Sequence, residues 1–423
     1  MSVETQLPTM RERFMAVRRL SEELCKHLAA EDFVVQTMPD VSPAKWHLAH
    51  TTWFFETFLL KKFIAGYRDY HPRYSYIFNS YYNAVGDRHC RANRGQLSRP
   101  TVAEVFEYRH AVNERMQALL EDPDPAAADE ISALIELGLH HEQQHQELMI
   151  TDLKHVFACS PLHPVYWNCA ILYAQSTPPL RYTRFPESVQ AIGHDGNGFG
   201  YDNEFPRHDK IVPAFQIGSR LITNGEYIEF ITDGGYERPE LWLSDGWSAV
   251  RQQQWRAPLY WDLEGNDWHY FTLNGYVKVN PYVPVCHVSF YEADAFARWK
   301  GKRLPSEEEW EVAFRNEEIA GNFVDRRYFH PVALDACSPE SSQAYGDVWE
   351  WTSSPYVGYP GYRPAAGAVG EYNGKFMCNQ KVLRGGSCAT SQSHIRPTYR
   401  NFFYPDQRWQ FMGIRLADDG LEL

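Results

Sequence analysis

The chain has no C-x-x-C pair. Its eight cysteines, at positions 25, 90, 159, 169, 286, 337, 378 and 388, are scattered through 423 residues. Such spacing excludes a compact disulfide framework and leads us to expect reduced, mostly buried thiols. Long apolar runs are missing too: no stretch approaches the roughly 18–20 uninterrupted apolar residues that span a bilayer. The N-terminal MSVETQLPTMRERF lacks the charged-then-apolar pattern of a secretory leader, so the expectation is a soluble cytoplasmic protein. Positive charge is in deficit. A formal net charge of -13 disfavours nucleic acid or an anionic membrane as the main partner, since neither is attracted over long range. Internal repeats and low-complexity tracts are also absent.

What the chain does contain, 44% hydrophobic residues, suffices for large cores, and the length suggests two or three domains, two being the simplest count. From about residue 10 to 157, RERFMAVRRLSEELCKHL, TVAEVFEYRHAVNERMQALL and DEISALIELGLHHEQQHQELMITDLKHVF repeat apolar residues at three- and four-residue spacing. These stretches predict a helical bundle of up to four helices. Ser42 is expected to cap the second helix, with Pro43 in its first turn, and EDPDPAAAD separates the last two long helices. After residue 158, Pro, Gly, Trp and Tyr become frequent and long amphipathic stretches nearly vanish. One clear helix, broken by a loop, is expected over YEADAFARWKGKRLPSEEEWEVAFR. The resulting organisation is an α+β multidomain chain: a helical domain over 1–160, a linker over 161–190, and a mixed α/β domain over 191–423.

The stretch HHEQQHQE, at 140–147, contains the pattern His-Glu-x-x-His. His141 and His145 are four apart, so they lie within about 40° of each other on one helix face, and both rings can reach one metal ion. Leu134, Ile135, Leu137 and Leu148 suggest that this face borders the bundle interior, where helical bundles build their metal sites. A zinc peptidase would extend the pattern with a glycine and a third histidine where this chain has Leu148 and Thr151, or supply an acidic ligand about twenty residues on, where the chain reads PLHPVYWNCA. It does neither. The third ligand is better sought in KWHLAHTTWFFE, where His47 and His50 can each face inward and His50 is favoured. Three neutral imidazoles suit zinc, copper or iron alike. The plain structural alternative is that each histidine only satisfies a hydrogen bond.

Downstream, YSYIFNSYYNAVGDRHCRANRGQLSRP carries adjacent tyrosines, Tyr81 and Tyr82, followed by Arg91 and Arg94. A tyrosine near a metal can donate a proton or an electron, and paired arginines can grip a carboxylate. Packing tyrosines and solvated arginines are the alternative.

The segments WHLAHTTWFFE, FNSYYNAVG and LHHEQQHQELMITDLKH resemble the DinB-like four-helix domain of the ergothioneine-biosynthesis sulfoxide synthases. VPVCHVSFYEADAFARWKGKRLPSEEEWEVAFR, GDVWEWTSSPY, VLRGGSCAT and MGIRLA resemble the C-type-lectin-like FGE-sulfatase domain that follows it in that family. The second set of motifs is specific to a fold rather than a function. The resemblance implies a non-haem iron(II) enzyme that uses dioxygen to join a thiol to C2 of hercynine (Nα-trimethylhistidine), with oxidation at sulfur. It implies His50, His141 and His145 as iron ligands and His47 as a neighbouring non-ligand. Tyr81 and Tyr82 match the branch with catalytic tyrosines in the helical domain, where they donate a proton or hydrogen atom. Arg91 and Arg94 match arginines that hold the thiol substrate, here the carboxylate of free cysteine. Gln144 can turn its amide to the substrate imidazole. Asn401, Phe402 and Phe403 lie where the family recognises hercynine, an amide for its carboxylate and aromatic faces for its quaternary ammonium. With this resemblance, the site is expected in the bundle, closed by the second domain.

Trp299, Arg303, Leu304, Pro305, Trp310, Trp349, Trp351, Arg384, Gly385 and Gly386 read as fold-building residues, with Arg384 expected to pair with a carboxylate. Formylglycine generation would need a paired copper-binding cysteine arrangement, which Cys378 and Cys388, ten apart, do not resemble. Competing readings are coupling with gamma-glutamylcysteine or a seleno-sugar, a metal-dependent thiol S-transferase that needs no dioxygen, and a ligand-display protein with structural histidines. Arg91 and Arg94 favour an amino-acid carboxylate over a sugar.

Overall fold

The computed structural model describes residues 8–169, 176–334, 342–365 and 368–420. The chain divides into two compact units, the first Met1–Cys159 with Gly367–Tyr372 and the second Ser160–Ala366 with Asn373–Leu423. That residues 368–372 group with the first unit has no counterpart in the sequence reading. No helix among the described residues is long and apolar enough to cross a membrane.

Four long helices make the first unit: α1 Met10–Cys25, α2 Ala44–Phe55, α3 Val102–Glu121 and α4 Ala128–Ala158. Thr9 and Thr101 start α1 and α3 with capping boxes closed by Glu12 and Glu104. Ser42 does not cap α2 as expected. Pro43 takes the position before the helix, the Ser42 amide donates to Asp152 Oδ2 at 2.8 Å, and its hydroxyl accepts from Arg94 at 2.8 Å. Beyond Phe55 the helix continues through a π-turn, Glu56–Leu60. Its Glu56 carboxylate accepts from the Tyr67 hydroxyl and the Tyr70 amide at 2.8 Å and from the Tyr108 hydroxyl at 2.5 Å. Helix α4 packs against α1 and α2. Gly138 permits the close approach of α2, because a Cβ there would meet the Phe55 ring at 2.6 Å. The interior stripe of α4 is rotated from the one expected: Ile135 is buried, with Ile131, Leu139, Met149 and Ile150, but Leu134, Leu137 and Leu148 are only half-buried.

One buried ionic cluster ties the bundle together. Glu142 of α4 accepts from Arg18 of α1 at 2.8 Å, Arg109 of α3 at 2.6 Å and the Ser21 hydroxyl at 2.6 Å. Arg18 also donates to Asn113 at 2.7 Å and to Thr52 of α2 at 2.9 Å. Burial opposes the charge of Glu142, but the two guanidiniums outweigh it and hold the carboxyl at about pKa 2.

The second unit is built on small sheets. Strands β1 (Trp349–Pro355), β2 (Lys381–Arg384), β3 (Asn401–Phe403) and β4 (Met412–Gly413) form one in the order β3-β2-β1-β4, parallel only between β1 and β4. A second joins Tyr182–Phe185, Phe215–Gly218 and Ala417–Asp419, so part of the stretch read as a linker over 161–190 is already a strand. The broken helix is present as Phe290–Trp299 and Glu307–Phe314; two further helices, Asn224–Thr232 and Ser244–Gln253, were not read from the sequence. The aromatic and arginine motifs do build this fold. Glu350 accepts from Trp310 Nε1 and Arg415 Nε at 2.7 Å, and Arg384 pairs with Glu307 and Glu311 at 3.0 and 3.1 Å. At Gly385, with φ +96°, a Cβ would strike the Ala344 carbonyl at 2.4 Å.

All described cysteines are free, as expected, but they are not mostly buried. Cys25, Cys286 and Cys388 are; Cys90, Cys159 and Cys378 are exposed, Cys169 is half-buried, and Cys337 lies outside the described residues.

Breaking the Glu142 cluster leaves the buried Arg18 guanidinium without its counter-charge and Arg109 with only the half-buried Glu22. Glu142→Gln is expected to destabilise the helical unit by about 3–5 kcal/mol, measured as a fall in the urea midpoint of the full chain at constant slope.

Candidate functional site

Helices α2 and α4 bring one nitrogen each from His50, His141 and His145 within 4.8 Å of one another, in the interior of the first unit. The His50 ring is stacked between Trp46 at 4.6 Å and Trp53 at 5.5 Å, and Phe54 lies 4.6 Å from the ring of His141. His50 Nδ1 donates to the Phe78 carbonyl at 2.5 Å, so its Nε2 keeps a lone pair, directed at His141 Nε2 3.1 Å away. Burial holds His141 down at about pKa 3; burial, followed by the neighbouring histidines, holds His50 and His145 well below the usual imidazole range. The site therefore presents three neutral imidazoles converging in a desolvated place, with His141 Nδ1 buried and unpartnered. This donor set fits a divalent transition metal and, by spacing alone, does not choose among zinc, copper and iron.

Glu142 closes the peptidase question. The glutamate of a His-Glu-x-x-His peptidase acts as general base beside the metal. Here it is locked between Arg18 and Arg109, held as a carboxylate and unavailable to a water at the histidines. His47 is likewise not in the converging group. It lies between His145 and Asp152, with ring nitrogens 2.9 Å from His145 Nδ1 and 3.0 Å from Asp152 Oδ2.

The tyrosine pair is one ring removed from this group, through Trp53 and Tyr372. Tyr82 is fully buried, its ring 5.6 Å from Trp53 and 5.2 Å from Phe58, and Tyr81 lies 4.6 Å from Tyr82. Burial pushes the Tyr81 phenol well above its ordinary pKa, so it keeps its proton at neutral pH. Arg94 is buried flat on Trp46, its guanidinium 3.3 Å from the ring centre, with hydrogen bonds to Ser42 and Ser80 and an unpartnered Nε. Among the described residues it makes no ion pair. Burial and Arg91 oppose its charge, while Asp152 favours it. Arg91 is exposed and donates to the Asp40 carbonyl at 2.6 Å. A buried guanidinium with hydroxyl partners and a spare donor suits an incoming carboxylate.

Sequence reasoning missed Tyr372 and Glu371, since nothing in a distant loop marks it as part of the helical unit. The Tyr372 ring is 5.7 Å from His141 and 6.1 Å from Tyr81, and its hydroxyl donates to Gln144 Oε1. Glu371 accepts from the amides of Asn83 and Ala84 at 3.0 and 2.8 Å, anchoring the turn that follows the tyrosine pair. In the second unit, Phe402 stacks on Tyr356 at 4.0 Å and Phe403 meets Trp409 at 5.8 Å. Asn401 accepts from the Phe402 amide at 3.0 Å.

A helical unit with a buried three-histidine group, followed by a second unit of small sheets, defines a two-domain protein class with a candidate metal site in its helical part. Residues 13–149 match the DinB superfamily, and residues 188–345 and 330–420 match the sulfatase-modifying factor enzyme 1-like domain. The chain is 33% identical over 412 residues to the hercynine oxygenase of Mycobacterium tuberculosis, covering 90% of this chain and 92% of the relative. It is 32% identical over 416 residues to that of Mycolicibacterium smegmatis, covering 91% and 92%. The formylglycine-generating enzyme of Bos taurus is 27% identical across 58% of this chain and 76% of its own. The chain belongs to the hercynine oxygenase family.

Removing the Glu371 carboxylate frees two backbone amides. Glu371→Ala is expected to speed hydrogen exchange in peptides spanning residues 79–86 by about ten-fold, the equivalent of about 1.4 kcal/mol of hydrogen bonding, with peptides across α4 unchanged.

Proposed function

We propose that this chain is an iron(II)- and dioxygen-dependent sulfoxide synthase that joins cysteine to C2 of hercynine, as in ergothioneine biosynthesis. The observation that carries this reading is the buried group His50, His141 and His145 in a chain 33% identical to a hercynine oxygenase along most of its length. In the overall reaction, the imidazole C2–H and the thiol S–H bonds break and a C–S bond forms. One oxygen atom of dioxygen ends on sulfur and the other leaves as water. Iron held by His50, His141 and His145 would supply dioxygen activation and a Lewis-acidic centre with positions open to substrates.

The chain's own residues divide the remaining work. Arg94, with Arg91 on the same 3-10 turn, is proposed to take the cysteine carboxylate and so place the thiol; its buried, ion-pair-free guanidinium supports this. Tyr81, Tyr82 and Tyr372 are the phenols grouped near the histidines, and one of them is proposed to give up the proton or hydrogen atom that commits the reaction to coupling rather than to oxidation of the thiol alone. Tyr372 joins the pair on geometry: its hydroxyl is fixed by Gln144, adjacent to His145 in the chain. Gln144 is proposed to meet the hercynine imidazole. Asn401, Phe402 and Phe403 enter from the family resemblance as hercynine-recognising residues. The Phe402 ring is already stacked, so the Asn401 amide is the polar handle on offer to a carboxylate.

The test is dioxygen consumption by iron-loaded protein with hercynine and cysteine together and with each alone, products read by mass spectrometry. Uptake requiring both, with hercynylcysteine sulfoxide formed, is expected; uptake only with gamma-glutamylcysteine or a seleno-sugar would replace the donor, and turnover without dioxygen would indicate S-transfer. Phenylalanine at the acting tyrosine is expected to slow sulfoxide formation by about 10²-fold or more and divert oxygen to cysteine alone. Unchanged product ratios at all three positions would remove them from the chemistry. Arg94→Gln is expected to raise KM for cysteine by roughly 10–100-fold, as for the loss of a charged hydrogen bond, with KM for hercynine unchanged in initial-rate kinetics.

A further inference from the structure

His47 and Asp152 have no part in the reaction as described, yet both are buried, and together they form a hydrogen-bonded line that ends on a candidate metal ligand. Asp152 and His145 are seven apart on α4, two turns on the same face; His47 and His50 are three apart on α2, neighbours on the facing helix. The two helices thus present Asp152, His47 and His145 to one another. His47 Nε2 is 3.0 Å from Asp152 Oδ2, and His47 Nδ1 is 2.9 Å from His145 Nδ1. The same Asp152 oxygen accepts the Ser42 amide at 2.8 Å, which anchors the carboxylate to the start of α2.

The direction of these bonds follows from what each group can do. A carboxylate only accepts, so the proton between Asp152 and His47 belongs to His47 Nε2. In a neutral ring this makes His47 Nδ1 an acceptor. His145 must then donate from its Nδ1, which leaves the lone pair on Nε2. His50 reaches the same state by a different route, its Nδ1 proton taken by the Phe78 carbonyl.

We propose that His47, held by Asp152, is a positioning residue that fixes the orientation of the His145 ring and directs its Nε2 lone pair to the metal. The inference rests on His50, His141 and His145 being the ligands. It assigns His47 the work that a carboxylate or a backbone carbonyl performs behind other metal-bound histidines, where losing such a partner weakens metal binding by about 10–100-fold.

The experiment is anaerobic iron(II) binding to the full-length protein by competitive titration, with the visible spectrum of the cobalt(II)-substituted protein as a readout of ligand geometry. His47→Phe and Asp152→Ala are each expected to weaken iron(II) binding by about 10–100-fold and to change the cobalt spectrum. The double variant is expected to be little worse than either single one, because both cut the same line. His47→Gln is expected to stay within about three-fold of wild type, since its amide can accept from His145 and donate to Asp152. Wild-type affinity with an unchanged cobalt spectrum in His47→Phe would overturn the inference, and the same result in Asp152→Ala would do so if the phenylalanine variant did not fold. Additive losses in the double variant would also overturn it. Failure of the underlying ligand assignment looks different: wild-type protein would bind no stoichiometric iron(II), or His50→Ala would bind it undiminished.

Discussion

Helix α4 carries two of the three converging histidines, and what they can face depends on how that helix is rotated about its axis. Glu142, the residue after His141, sets this rotation. Its carboxylate is gripped by Arg18 from α1 and Arg109 from α3, and Arg18 reaches on to Thr52 of α2. An unpaired charge in that interior would be far too costly, so only helix rotations that keep the cluster together are populated. With Glu142 held on one side, His141 and His145 are turned toward α2, where His50 waits between two tryptophans. A residue that is chemically active in the peptidases sharing this short pattern is structural here, and by being structural it places the histidines on either side of it.

Desolvation then gives the site its character. The rings are buried and uncharged, and two of them are supported from behind by different polar partners: the Phe78 carbonyl for His50 and the His47–Asp152 pair for His145. Beside them is a buried guanidinium, Arg94, whose fixed partners are hydroxyls. Neutral donors leave the charge of a bound metal uncompensated, and Arg94 adds positive charge of its own. The site as a whole is therefore suited to anionic substrate groups.

Much of this was legible in the sequence because the relevant distances are local. Helical periodicity gave the bundle, and four-residue spacing put His141 and His145 on one face. The choice between His47 and His50 lay beyond spacing, since three-residue neighbours on a helix share a face; the family resemblance favoured His50, and the structure groups His50 with His141 and His145 while His47 faces Asp152. The stripe expected through Leu134, Leu137 and Leu148 was rotated because the Glu142 cluster, which periodicity counts as polar, occupies the interior. Ser42 failed as a cap for a similar reason: its amide and hydroxyl are drawn to Asp152 and Arg94. Tyr372 and Glu371 could not have been found from pattern at all. They reach the first unit from a loop more than two hundred residues after α4, and no local signal encodes such a return.

The account stands or falls on the three histidines acting together on one iron. The most direct measurement is a crystal structure of the protein loaded anaerobically with iron(II). One iron bound by the Nε2 atoms of His50, His141 and His145, with His47 still hydrogen-bonded between His145 and Asp152, is the result predicted. Iron held elsewhere, or bound without His50, would contradict it.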